Sequence, residues 1–391
     1  MNAVEKPLRI LVVVNLPWDV RLGAIRVWVE LAERWRAAGV VIEHYSLTEA
    51  FPKPVRSRVG YAMREIIFTF KAGSFVRKNG HRFDVIDALI GALPASKAAL
   101  RFRGLLVARS VGLYLLYAQF ERSVQARWPA AKKGKLIGRA VYGIIRRASI
   151  RASDRAVRHA DLLNVPNETE AACLRAELGS DRPVLVQPYG LSAAQSRALH
   201  EAASPVEQRH ANRKVCFVGM WGPRKGSRDW AEIIQRVRER VPDARFSFLG
   251  TMVDESVIRA ELGRGIPESA LTLVSSYQPE DLPRLLADCT AGAFPSYIEG
   301  FGLAVIEKLA AGLPTVAYDT AGPRDILEAR LPQMLTPIGD VEAFAAAICR
   351  ILLLDLEGYR ELAQRSREAA APFAWSAIAD ATLAAYRDRL R

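Results

Sequence analysis

Apolar residues fill positions 10–14 and give way at Asn15 to a turn, Leu16-Pro17-Trp18-Asp19, so residues 10–15 read as a buried strand. After Gly23 the apolar positions change period: Val27, Leu31, Trp35 and Ala38 recur at helical spacing, and Gly39 ends the run. Residues 40–44, opening on Val40-Val41-Ile42, read as the next strand, which completes a β-α-β unit of the kind that builds a parallel sheet. Further short strands are predicted at 83–87, 104–109, 161–165 and 183–187. Residues 195–213, rich in Ser, Ala, Glu, Gln and Asn, read as a linker or surface helix. The alternation then restarts, with strands at 214–219, 245–250, 271–275, 291–295 and 315–318 and helices at 227–240, 254–263, 279–288 and 303–312. The expectation is an α/β protein of the doubly wound kind, with two Rossmann-like domains facing a central cleft.

Composition narrows this reading without changing it. The 391 residues, half of them hydrophobic and a quarter charged, suit two domains with real cores and exclude a disordered or fibrous chain. The four cysteines show no paired spacing, so reduced thiols and a cytoplasmic setting are expected rather than a disulfide framework. The opening apolar run has the length of one strand and lacks a cleavage site, so no signal peptide is expected. The charge is uneven. Residues 51–150 carry 20 Lys plus Arg against 4 Asp plus Glu, whereas the whole chain is only +13. An anionic partner is expected to meet that region.

Two stretches carry candidate chemistry. In Pro295-Ser296-Tyr297-Ile298-Glu299-Gly300-Phe301-Gly302-Leu303-Ala304-Val305-Ile306-Glu307, a strand runs through a Gly-X-Gly turn into a helix. Backbone N–H groups and the positive helix end at such a turn make a seat for phosphate. Glu299 stands ahead of the helix and Glu307 one to one and a half turns inside it, placed to accept from hydroxyls of a sugar and a ribose. An ordinary surface turn with a helix acid has the same local pattern. The second stretch, Gly219-Met220-Trp221-Gly222-Pro223-Arg224-Lys225-Gly226, is a glycine-rich loop after a strand, and its two cations suit a diphosphate leaving group. A solvated basic turn would read the same way.

Together these residues resemble the signature of the family-4 retaining glycosyltransferases of the GT-B fold. The likeness continues through Ala310-Ala311-Gly312-Leu313-Pro314, Gly322-Pro323-Arg324-Asp325-Ile326 and Ser275-Ser276-Tyr277, and ends at Phe373-Ala374-Trp375. It is specific over 214–391 and a matter of pattern only over 1–195. The resemblance implies that domain 1–195 binds the acceptor, that domain 210–374 binds a nucleotide sugar, and that a crossover helix over 375–391 packs back on the first. It gives Glu299, Lys225 and Arg224 catalytic roles at the donor sugar and the leaving phosphate. Gly23, Gly222, Tyr277, Gly300, Phe301, Gly302, Leu303 and Glu307 become donor-binding positions. The implied reaction moves a sugar from a nucleoside-diphosphate sugar, with retention, to a glycan or lipid-linked glycan. No cofactor or metal is implied, and the chain has neither an Asp-X-Asp nor a His/Cys cluster with ligand spacing. Two positions depart from the pattern: Met220 stands where an arginine is common, with Arg224 as the replacement cation, and Val111 stands for a histidine. A catalytically silent GT-B binding protein and a sugar-nucleotide epimerase of the same fold are the alternatives.

The basic region mixes cations with apolar residues. Lys132, Lys133, Lys135, Arg139, Arg146 and Arg147 alternate with Leu136, Ile137, Val141, Ile144 and Ile145, while Phe68, Phe70 and Phe75 stand among Arg64 and Lys71. Such a surface suits anionic lipid at the inner face of the cytoplasmic membrane. An amphipathic helix packed on its own domain has the same pattern. Nucleic acid is not expected, since no recognition motif accompanies the charge.

Overall fold

The structure is a computed structural model that describes residues 6–19, 23–53, 58–113, 116–117, 120–122, 136–177, 182–263 and 265–391. The chain divides into two compact units: residues 1–188 with 375–391, and residues 189–374. Each contains a six-stranded parallel sheet with helices between the strands, the doubly wound α/β architecture that the alternation predicts. Parallel strands covered on both faces have to be apolar throughout. That is why the predicted strands are short continuous runs rather than alternating ones.

In the first unit the strands are β1 (Arg9–Val13), β2 (Val41–Tyr45), β3 (Val85–Leu89), β4 (Leu105–Arg109), β5 (Leu162–Val165) and β6 (Val184–Val186), in the order β2-β1-β3-β4-β5-β6. The order reverses between β1 and β3. One core face gathers Leu11, Val13, Phe68, Ile86, Leu100 and Leu106 beneath helix Arg58–Asn79. The terminal helix Trp375–Leu390 buries Trp375, Ile378, Thr382, Leu383 and Tyr386, the three-and-four spacing of a single apolar stripe. It is fixed by polar contacts as well. Trp35 donates to the Ala379 carbonyl at 3.2 Å, Gln187 donates to the Ile378 carbonyl at 3.1 Å, and the Tyr386 hydroxyl donates to Asp87 at 2.7 Å.

The second unit holds β7 (Lys214–Val218), β8 (Arg245–Leu249), β9 (Leu271–Val274), β10 (Ala291–Phe294), β11 (Thr315–Tyr318) and β12 (Leu335–Thr336), ordered β12-β11-β10-β7-β8-β9. Here the reversal falls between β7 and β10, which pair directly through Cys216 and Gly292.

Tyr189 onward clusters with the second unit, and residues 195–213 are not a loose connection. Helix Ala193–Glu201 starts on a capping box in which Ser192 and Gln195 satisfy each other's backbone N–H, and helix Val206–Asn212 follows. From the latter Arg209, almost fully buried, donates to the carbonyls of Ala311 at 2.7 Å and Gly312 at 3.0 Å. It thereby satisfies orphan acceptors just beyond helix Leu303–Ala310. A polar stretch had disguised a residue of the core.

Candidate donor site at the strand-order reversal

Open α/β sheets bind ligands beyond the carboxyl ends of the strands where the order reverses. In the second unit those ends are the loops after β7 and β10, the two stretches that carry the candidate chemistry. The loops touch. Gly226 adopts a left-handed φ of +75°, and a Cβ there would lie 2.2 Å from the Pro295 carbonyl oxygen, so glycine is what allows the approach. Tyr297 N–H donates to the Arg224 carbonyl at 2.9 Å, stitching one loop to the other.

Lys225, closing a 3₁₀ turn over Pro223–Lys225, donates to the Glu299 carboxylate, and Arg224 stands 3.8 Å from the same group. Both the lysine and the glutamate keep only a sliver of exposure, 13% and 14%. Burial opposes ionisation of Glu299, yet Lys225, Arg224 and the Gly300 N–H outweigh it and hold the carboxyl below its ordinary value. Burial also weakens the hold of Lys225 on its proton; Glu299 resists that change and Arg224 adds to it. The result is two cations gathered at one carboxylate, in a place with little water.

Gly302 then turns into helix Leu303–Ala310 with φ +98°, a left-handed conformation that glycine adopts without strain. Phe301 is buried against Tyr189 and Phe373 and locks the turn from behind. Glu307 lies on the same helix, nearly buried. Tyr277, after β9, lays its ring close over Gly250 at the end of β8. Gly222 has an extended backbone and open space around it, so its role is the carbonyl, which accepts from Lys225 N–H at 2.9 Å. Gly23 is the first residue of helix Gly23–Ala37, in the other unit.

Some contributors went unread in the sequence. Asp229 receives the hydroxyls of Tyr297 at 3.1 Å and Tyr318 at 2.8 Å, fixing the loop after β10. The buried hydroxyls of Ser227, Thr251 and Ser296, all close behind β7, β8 and β10, have no partner among the described residues, as expected where a polar ligand completes the bonding. Lys308 is fully buried. Of these, only Thr251 and Ser296 stand just beyond predicted strand ends, where position could have drawn attention to them.

The first unit has its own feature at its reversal point: a cavity of about 290 Å³ lined by Asn15, Ile90, Ser110, Val111, Ser149 and others. The departure at Val111 thus lies in its wall, while Met220 is exposed. Behind the cavity Ser110 donates to the buried carboxyl of Glu170, which burial raises to about 7. A wider groove of about 890 Å³ along helix Trp230–Arg240 contains none of the candidate residues.

The residues expected to form a lipid-facing surface are divided between surface and core. Phe70 is 72% exposed on helix Arg58–Asn79, and Ile144 is 62% exposed on helix Leu136–His159. Phe68, by contrast, is core, Phe75 stacks on Tyr45, and Lys71 donates to the Ala50 carbonyl. Lys132, Lys133 and Lys135 lie outside the described residues. Among those described, no helix is long and apolar enough to cross a membrane, and no group of three or more His, Cys, Asp or Glu is placed to hold a metal ion.

Two doubly wound units, the second with paired cations and a helix N-terminus at its reversal point, define the GT-B class of fold. Comparison with known proteins agrees. Residues 212–353 match the family described as Glycosyl transferases group 1. The chain is 27% identical over 207 residues to a 2-deoxystreptamine glucosyltransferase of Streptomyces kanamyceticus, covering 50% of this chain and 52% of that one, so it spans about half the length of that relative. It is 26% identical to a D-inositol 3-phosphate glycosyltransferase of Kribbella flavida, over 98% of this chain and 97% of that one. Among solved structures, sucrose-phosphate synthase from Thermosynechococcus elongatus superposes with a TM-score of 0.73 at 20% identity, covering 97% and 98% of the two chains.

Proposed function

We propose that the protein is a retaining glycosyltransferase that moves a sugar from a nucleoside-diphosphate sugar to a glycan or lipid-linked glycan, without a metal ion. The observation that carries this reading is the meeting of Lys225 and Arg224 with Glu299 at the reversal point, beside the N-terminus of helix Leu303–Ala310, which no side chain caps. In this reading the diphosphate lies over Gly300–Leu303, and Lys225 turns from Glu299 to the leaving phosphate. Charge that develops on that phosphate as the glycosidic bond breaks is met by two neighbouring cations and the helix end. Glu299, released, accepts from hydroxyls of the donor sugar, and Glu307 accepts from the ribose. Tyr277 stands at the nucleobase. The departing phosphate oxygen takes the acceptor's proton on the face it leaves, so configuration is kept, and positioning supplies most of the rate.

The acceptor is assigned to the first unit, with its cavity beyond β1, β3 and β4 as the pocket. The basic region 51–150, with Phe70 and Ile144 facing out, is the surface that meets anionic membrane from the cytoplasmic side.

Calorimetric titration of UDP, GDP and ADP and their common sugar conjugates, with chelator present, tests the donor site. Tight binding of one nucleotide, lost in Lys225→Ala, is expected. The anomeric configuration of the product, read by NMR, tests retention. A Glu299→Ala protein that stays folded and loses turnover by orders of magnitude fits an enzyme; absence of any turnover in the native protein would favour a silent binding protein. Absence of vesicle binding would remove the membrane assignment, and binding indifferent to salt would remove its electrostatic basis.

A further inference from the structure

Lys308 follows Glu307 on helix Leu303–Ala310 and has no solvent exposure. Its ammonium donates to the Ala293 carbonyl of β10 at 2.9 Å and sits 5.1 Å from the centre of the Phe294 ring. The same ring carries Lys225, whose ammonium is 4.6 Å from the centre. Two cations therefore share one aromatic ring directly beneath the loops of the donor site. The surroundings are shaped around the lysine stem: a Cβ at Gly292 would come within 2.8 Å of Lys308 Cδ. A methionine or leucine would fill that space without the cost of burying an amine. Four titratable groups face the ammonium. Lys225 from the loop after β7 opposes its charge and Glu307 on its own helix favours it, while the thiols of Cys216 of β7 and Cys289 ahead of β10 stand beside it.

We propose that Lys308 is a positioning residue of the diphosphate seat, a buried cation that reinforces Lys225 from behind the Phe294 ring and is protonated whenever a nucleoside diphosphate is held. The inference rests on the donor-site reading above. Its physical content is linkage. Burial pulls Lys308 down from 10.5 to about 8, so the empty site loses this charge just above that pH. A bound diphosphate adds negative charge nearby and favours the ammonium. Binding then draws in a proton, and affinity falls as pH rises through 8.

The test is calorimetric titration of UDP and GDP into the intact chain at pH 7 and at about pH 8.5, each in two buffers of different ionisation heat. The expected result is roughly three-quarters of a proton taken up per nucleotide at the higher pH, almost none at pH 7, and an affinity roughly fourfold weaker at the higher pH. Lys308→Met is expected to remain folded, to bind more weakly at pH 7, and to lose both the uptake and the pH dependence. Uptake that persists unchanged in Lys308→Met, or native binding independent of pH across this window, overturns the inference alone. If neither nucleotide binds the native chain at pH 7, the donor-site reading falls and takes this inference with it. The native protein's two-buffer measurement decides the matter even if the variant fails to fold.

Discussion

Each unit encloses a pairing of opposite charges near its strand ends, and the two pairings differ in completeness. In the first unit Arg109 holds Asp87 through Nε at 3.1 Å and Nη2 at 2.9 Å, and both residues are 1% exposed or less. Trp28 donates to the same carboxylate at 3.1 Å and Tyr386 at 2.7 Å, so its lone pairs are spoken for. In the second unit Lys225 and Arg224 both meet Glu299, in a partly open place, with unpartnered hydroxyls of the described residues close by. Burial with every bond satisfied marks a fastener. Paired cations at a strand-order reversal mark a seat for an anion.

That contrast fixes where substitutions should hurt. The largest effect is expected on stability, from Asp87→Ala. It leaves Arg109 buried without its counter-charge and should cost about 3–5 kcal/mol in urea unfolding. A double replacement, Asp87→Leu with Arg109→Met, should be milder than the single change. If the two prove equally harmful, charge burial is not what the fastener is built on.

Lys225→Ala should do the opposite: a fall in kcat of about 10²–10³-fold in the proposed transferase, with unfolding free energy moved by less than about 1 kcal/mol. A large loss of stability instead would make the Lys225–Glu299 pair a second fastener and remove the contrast.

Glu170 sharpens the comparison from the pH side. Burial raises its carboxyl from 4.5 to about 7, against the opposing hydrogen bonds of Ser110, Leu113 N–H and Asn167. Between those two values the folded chain keeps a proton that the unfolded chain has released. Stability therefore falls as pH rises through that window, by at most about 3 kcal/mol. Glu170→Gln should be more stable than the native protein at pH 8 and close to it near pH 5, as read from paired denaturation curves. The smallest effect is assigned to Tyr386→Phe. Losing one hydrogen bond to a charged partner should cost about 1.5–3 kcal/mol, and amide exchange should quicken along helix Trp375–Leu390 before the rest of the first unit responds.

Much of this was legible in the chain itself. Strand positions followed from unbroken apolar runs, because a parallel sheet covered on both faces tolerates nothing else. The helix after Gly302 and the placement of Glu299 and Glu307 on either side of its first turn followed from spacing, because helical geometry is local. Phe68 and Phe75 show the limit. An aromatic on a basic amphipathic stretch has the same pattern whether it faces lipid or core, and only the packing of helix Arg58–Asn79 on its sheet assigns two of the three inward.

What the sequence alone determined, then, is which residues form strands, which face each helix buries, and where glycine lets the backbone turn, all consequences of local features: unbroken apolar runs, a period of 3.6 residues and glycine's freedom at positive φ. The tertiary structure decided the partners: Asp87 with Tyr386 across 299 residues, Lys225 with Glu299 across 74, Arg209 beneath the Ala311–Gly312 turn, and Lys308 beneath Phe294. Those partners are set by the order of strands in each sheet. Strand order is the outcome of global packing, and no local period carries it.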